Sequence, residues 1–176
     1  QGILVAPPSK SISQRALACA LIAQGTSLIH NFGNSKDESA ALSILRALGC
    51  EVIENENSLQ ITPPLKIKDK IIIHCGESGL SARLFTFILM AIPSYSIVDG
   101  EGSLLNRPMH VFQDIFNQLE IQFAWNDGKL PLSFQGKKKS INLDVDGSLS
   151  SQFITGLMYY AIMSSHSESQ KINILN

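Results

Sequence analysis

The residues with chemical potential gather in three short segments: Ser9-Lys10-Ser11-Ile12-Ser13-Gln14-Arg15, Ser78-Gly79-Leu80-Ser81-Ala82-Arg83 and Ser148-Leu149-Ser150-Ser151-Gln152. Each combines hydroxyls with Lys, Arg or Gln, and each stands before an apolar run. A helix start needs only one Ser, Asp or Asn as its cap, so the surplus requires another explanation. Unpaired N–H groups and the positive dipole end make a helix start a binding place for phosphate or carboxylate. Arg adds planar, bidentate recognition of oxyanions, Lys adds a point charge, and Gly79 lets a ligand approach the backbone. The combination predicts a site for a small molecule carrying several anionic groups. Glu77 works against it, because a carboxylate beside an anion must be protonated, paired or hydrogen-bonded. A pair with a neighbouring Arg or Lys is the expected remedy.

The elements that must position these segments form a repeat. Arg15 and Arg83 are 68 positions apart, and Arg83 and Gln152 are 69 apart. Each segment opens a helical run, at Ala16–Ala23, Leu84–Ala91 and Phe153–Met163, followed by a strand at Ser27–Asn31, Ser96–Gly100 and Lys171–Leu175. A strand precedes each helix, at Ile3–Ala6, Ile71–Cys75 and Ile141–Val145. Second helices are expected at Asp37–Leu48 and Pro108–Leu119, each leading into two short strands. The second such pair is split by Asn126-Asp127-Gly128, a hairpin signal.

The unit is therefore βαβαββ, used three times, with the third copy lacking its second helix and hairpin. The fold class is α/β (α+β), one domain over residues 1–176. Its repeats run to about 65, to about 138 and, truncated, to 176, with a second domain absent from the chain. The first helices are apolar nearly all round, which predicts burial on most faces. Three such helices packed together, with sheets outside and pseudo-threefold symmetry, would bring all three polar segments to one end.

A net charge of −1 weighs against nucleic-acid binding. Cys19, Cys50 and Cys75 lack the spacing of a zinc site or disulfide framework and read as buried, reduced thiols. No apolar stretch reaches membrane-spanning length, and no charged segment followed by an apolar one opens the chain. The expectation is a cytoplasmic protein with no metal or cofactor, no membrane and no nucleic-acid partner.

Four motifs carry a family resemblance. Pro8-Ser9-Lys10-Ser11-Ile12-Ser13-Gln14-Arg15-Ala16-Leu17 resembles the opening signature of EPSP synthases, P-G-S-K-S-x-S-x-R-A-L. Gly76-Glu77-Ser78-Gly79-Leu80-Ser81-Ala82-Arg83 is similar to their G-N-x-G-T-x-x-R, Asn106-Arg107-Pro108 to their R-P element, and Gly147–Phe153 to G-S-x-S-S-Q-F. The resemblance implies transfer of the carboxyvinyl group of phosphoenolpyruvate to the 5-hydroxyl of shikimate 3-phosphate, in the shikimate pathway to aromatic amino acids. It implies two domains closing on substrate, of which this chain is the first.

By the same resemblance, Lys10 would contact both substrates and take part in proton transfer. Ser11 and Arg15 would hold the shikimate carboxylate end, and Ser150 and Ser151 its phosphate. Gln152 would lie near both ligands. Gly79 and Arg107 would bind phosphoenolpyruvate, supported by Arg83, with Glu77 beside them. Three departures stand out: Pro8 for Gly, Glu77 for Asn and Leu80 for Thr, the last two in the phosphoenolpyruvate subsite. Two other readings compete. The enolpyruvyl transferase acting on UDP-N-acetylglucosamine has Lys-Asn where Lys10-Ser11 stands, and a non-catalytic RNA- or protein-binding module would want a basic or aromatic face.

Overall fold

The computed structural model describes residues 2–4, 6–148, 150–164 and 170–175. The middle of the chain holds a full βαβαββ order: β4 (Lys70–His74), α3 (Gly79–Met90), β5 (Tyr95–Asp99), α4 (His110–Leu119), β6 (Phe123–Asn126) and β7 (Lys129–Gln135). Its sheet runs β4-β5-β7-β6. β4 and β5 pair in parallel, as a helical crossover requires, while β7 is antiparallel to both its neighbours. Asp127 and Gly128 both have positive φ, 48° and 73°, which is the turn that the Asp-Gly pair predicts.

The flanking stretches carry parts of the same order. The first holds α1 (Lys10–Ile22), β1 (Ser27–His30), α2 (Lys36–Ala47), β2 (Glu51–Asn55) and β3 (Ser58–Thr62), in a sheet ordered β1-β3-β2. The last holds β8 (Asn142–Asp146), α5 (Ser151–Ser164) and β9 (Lys171–Leu175), with β8 and β9 parallel. The strand expected at Ile3–Ala6 is not formed at Ile3, Leu4 or Ala6, and Val5 lies outside the described residues. Ile3 and Leu4 are 98% and 92% exposed. An extended segment gains ladder hydrogen bonds only against a partner, and β1 has its one described pairing with β3.

α3 is the axis of the core. Every residue of it except Arg83 is buried, which matches the all-round apolar pattern. It packs on α1 and α5, and α5 reaches α1 where the Tyr159 hydroxyl donates to the Arg15 carbonyl at 3.2 Å. The strands turn alternate residues toward this centre: Ile71 and Ile73 on β4, Leu130, Leu132 and Phe134 on β7, Leu143 and Val145 on β8. The expectation of burial on most faces fails for α1 and α5. Ile12, Met158 and Ile162 are more than half exposed, and Cys19 is exposed too. α3 lies between α1 and α5 and is enclosed, whereas α1 and α5 each keep a face toward solvent. Cys50 and Cys75 are buried, and burial pushes their thiols up to about 11 and about 12.

The helices begin earlier than their apolar runs. α1 starts at Lys10, α3 at Gly79 and α5 at Ser151, so the first two polar segments are first turns of helices, while Ser148 and Ser150 of the third stand ahead of α5. One buried contact fixes two of these turns together. The Gln14 Oε1 accepts from the hydroxyls of both Ser78 and Ser81 at 2.8 Å, and Gln14 Nε2 donates to the Lys10 carbonyl at 3.3 Å. Gln14, Ser78 and Ser81 are all nearly inaccessible. The Ser78 oxygen also caps α3 by accepting from Ser81 N.

Close packing of α5 on α3 depends on Gly156, where a Cβ would overlap the Phe87 ring. Gly156→Ala therefore overpacks the core, at a cost of about 1–3 kcal/mol, seen as a lower urea midpoint. Gln14→Ala deprives two buried hydroxyls of their acceptor and costs about 1–3 kcal/mol in the same measurement. An unchanged midpoint would mean that the contact in question does not hold the helices.

Candidate anion-binding site

Three helix starts converge on one face. Gln14 joins the start of α1 to that of α3, and the Arg83 Nη1 joins α3 to α5 by donating to Gln152 Oε1 at 3.1 Å. Lys10, Arg83 and Ser151, expected to lie together, are thus on helix ends linked by direct hydrogen bonds. The caps differ between the three. Ser78 caps α3, and Ser150 Oγ accepts from Gln152 N at 3.2 Å, but the Ser9 side chain makes no cap bond to α1. The first N–H groups of α1 keep their capacity to bind an anion.

The cations of this face are held in different ways. Lys10, about half exposed, pairs with Asp37 Oδ2 at 2.8 Å. Arg15 folds back on its own helix, donating to the Ser11 carbonyl at 3.0 Å, and Arg83 does the same to the Gly79 carbonyl at 3.2 Å. Arg83 also lies over the Phe153 ring, 5.1 Å from its centre, a desolvated cation–π contact. Arg107 reaches in from the end of a short 3-10 helix, Gly102–Asn106, donating weakly to Ser103 Oγ.

Gly79 is where two of these cations meet. A Cβ at this position would lie 2.5 Å from Arg107 Nη1 and 2.7 Å from Arg83 Nη1. A Cβ there would push both guanidinium groups from the places they occupy. Burial lowers the Arg83 pKa, and the charge of Arg107 lowers it further. Arg83 Nε is buried and without a hydrogen-bond partner among the described residues. Two like charges over one helix start, with donor capacity unspent, are stabilised by an anion between them.

Other predicted residues fall into place less simply. Ser11 and Ser151 are exposed on the first turns of α1 and α5, and Gln152 is half-buried. Ser150 is half-buried and committed to its cap, and Leu149 lies outside the described residues. Leu80 is buried and presents nothing to the face. Glu77 does not form the expected pair with Arg or Lys. Its Oε2 accepts from the Ser103 backbone N–H at 2.9 Å, which is the main reason its carboxyl is held below the usual range, with Lys36 and Arg107 adding smaller attractions.

Several residues of this face were not legible beforehand. Asp37, Gln14, Tyr159 and Ser103 act across the fold, and no local pattern marks them. Glu38 was detectable, since Ser35 and Glu38 form a capping box at the start of α2. Burial pushes its carboxyl up, but hydrogen bonds led by that from Ser35 outweigh burial and leave it below the usual value. A cleft of about 560 Å³ opens beside the cluster, lined by Lys36, Asp37, His74, Gly76, Glu77 and Glu101. Its carboxylates make it a poorer anion host than the guanidinium pair over Gly79. Among the described residues no His, Cys, Asp or Glu group could hold a metal ion, and no helix is long and apolar enough to cross a membrane.

Comparison with known proteins gives a consistent result. The chain is 38% identical over 161 residues to the 3-phosphoshikimate 1-carboxyvinyltransferase of Clostridium kluyveri, covering 90% of this chain and 38% of that protein. The enzyme of the same name from Korarchaeum cryptofilum is 37% identical over 165 residues, again covering 90% and 38%. Among solved structures, an EPSP synthase from Acinetobacter baumannii superimposes with a TM-score of 0.79 at 27% identity, over 90% of this chain and 37% of that one. The enolpyruvyl transferase NikO of Streptomyces tendae shares the fold, with a TM-score of 0.57 at 17% identity. The chain spans under two-fifths of the length of these relatives. The family model described as EPSP synthase (3-phosphoshikimate 1-carboxyvinyltransferase) matches residues 1–175, and the chain belongs to that family.

Proposed function

We propose that this chain is one wall of an enzyme moving the carboxyvinyl group of phosphoenolpyruvate to the 5-hydroxyl of shikimate 3-phosphate. The observation that carries the reading is the convergence of the Arg83 and Arg107 guanidinium groups over Gly79. That geometry suits a compact oxyanion such as the phosphate or carboxylate of phosphoenolpyruvate. The relatives named 3-phosphoshikimate 1-carboxyvinyltransferase support the choice of substrates.

The residue roles are those that the family motifs imply for these positions. Gly79 and Arg107, with Arg83 behind them, hold phosphoenolpyruvate. Ser11 and Arg15 on α1 hold the carboxylate end of shikimate 3-phosphate, and Ser150 and Ser151 at the α5 start hold its phosphate. Gln152, bonded to Arg83, lies between the two ligands. Lys10 touches both. The reaction forms a bond from the 5-hydroxyl oxygen to the enol carbon and breaks that carbon's bond to the phosphate oxygen. A proton reaches the methylene carbon and one leaves the hydroxyl; as phosphate departs with the electron pair of its C–O bond, the new methyl group gives up a proton and the methylene is restored. Lys10 is the proton-transfer group of this wall, and Asp37 holds its ammonium at the edge of the site. Residues 1–176 act as one domain of three related units, and a second domain supplies the opposing wall and excludes water.

Titration by calorimetry separates this reading from its rivals. The chain binds shikimate 3-phosphate weakly, and binds neither UDP-N-acetylglucosamine nor a short RNA. It releases no phosphate from a mixture of the two substrates. Preference for either rival ligand, or turnover by the chain alone, would contradict the assignment. Arg15→Ala and Ser151→Ala each weaken shikimate 3-phosphate binding, the former by about tenfold, with the far-UV spectrum unchanged. Loss of that spectrum would make the two residues structural.

A further inference from the structure

Arg107 reaches Gly79 from a 3-10 helix of five residues, Gly102–Asn106. Such a helix has few internal hydrogen bonds and leaves N–H groups unsatisfied at its start. Glu101, in the capping position, makes no side-chain cap bond. The missing acceptor comes from another part of the chain, because Glu77 Oε2 accepts from Ser103 N at 2.9 Å.

The surrounding backbone is shaped for this contact. Gly102 has φ +56°, and a Cβ there would lie 2.5 Å from the Glu77 carboxyl carbon. The carboxylate therefore rests directly against Gly102, where a side chain would displace it. Glu101 N donates to the Gly76 carbonyl at 2.8 Å, bringing the two segments together just before the cap. Leu104, fully buried, pins the middle of the 3-10 helix, and Arg107 N closes its last turn on the Leu104 carbonyl at 3.1 Å.

We propose that Glu77 is a positioning residue for Arg107, capping the 3-10 helix across the chain so that the guanidinium is held over Gly79. It touches no substrate. The proposal rests on the reading that Arg107 binds the anionic substrate, and gives a reason for a carboxylate standing beside an anion site. By charge alone Glu77 opposes an anion, and by geometry it supports one. The two effects have opposite signs, which makes them separable.

The charged and titratable groups around Glu77 are Lys36 and Asp37 on α2, His74 at the end of β4, and Glu101 and Arg107 flanking the 3-10 helix. Because the folded carboxyl sits below its ordinary value, the cap is intact above that value and is lost as the pH falls through the lowered one.

Two NMR measurements on this chain test the proposal. Without ligand, the Ser103 amide shift follows an acid titration with a midpoint below that of an ordinary glutamate, and Glu77→Gln abolishes it. In a phosphoenolpyruvate titration followed at the Arg107 side-chain N–H, Glu77→Ala weakens binding by about tenfold. Glu77→Gln retains a neutral acceptor and stays within about threefold of the unmodified chain or above it. Tighter or unchanged binding by Glu77→Ala would overturn the proposal and leave Glu77 as a repelling charge only. A Ser103 amide that ignores Glu77 would overturn it as well. If the unmodified chain failed to bind phosphoenolpyruvate, the functional reading would fall, while the ligand-free titration would still decide whether the cap exists. Thermal melting of both variants near that of the unmodified chain excludes misfolding as the cause.

Discussion

A single side-chain carbonyl sets the geometry of the candidate site. Gln14 belongs to α1, and the two hydroxyls that share its oxygen, Ser78 and Ser81, belong to the cap and first turn of α3. All three are excluded from solvent, so no water can replace the bond, and either helix start could shift only by leaving a buried group unsatisfied. The same glutamine holds the Lys10 carbonyl with its amide. A cation and a glycine at which a second and a third cation meet are thereby kept in fixed relation by one residue that contacts no ligand in the proposed arrangement.

The electrostatics follow from that placement. Three helix starts on one face already favour anions, and Arg83 and Arg107 add two positive charges that converge on the space a Cβ at Gly79 would fill. Without an anion this arrangement is unfavourable, and it is held in place by aromatic stacking on Phe153, by the Arg83–Gln152 bond, and by the short 3-10 helix behind Arg107. Three carboxylates of the region are spent on structure: Asp37 on Lys10, Glu38 on the cap of α2 and Glu77 on the Ser103 backbone. None is turned against the guanidinium pair as a direct ion-pair partner among the described residues. The positive field over Gly79 is left for a ligand.

Packing explains why the scaffold tolerates this. α3 is enclosed on every side but one, and the one residue that escapes is Arg83. A helix that is apolar all round can be anchored firmly at its centre while its first turn carries the site. Gly156 against Phe87 lets α5 approach closely enough for Gln152 to reach Arg83. Core packing and site geometry are therefore the same constraint seen at two ends of one helix.

Much of this was legible in the residues. The 68- and 69-residue spacing of the polar segments, the Asp-Gly turn and the apolar runs specify repeated units, their elements and the gathering of hydroxyls and cations at helix starts, because each is a local pattern with a local physical cause. Element ends were less legible. The apolar run of α1 begins at Ala16 but the helix begins at Lys10, since an exposed first turn carries no burial periodicity. The strand at Ile3–Ala6 shows the converse error, because extended apolar residues form a strand only where a partner lies beside them. What the tertiary structure alone decided are contacts between distant positions: Gln14 with serines 64 and 67 residues away, Lys10 with Asp37, and Glu77 with Ser103. A sequence specifies which groups a chain carries and their local conformation; which of them satisfy one another depends on how separate helices and turns pack, and no spacing along the chain encodes that.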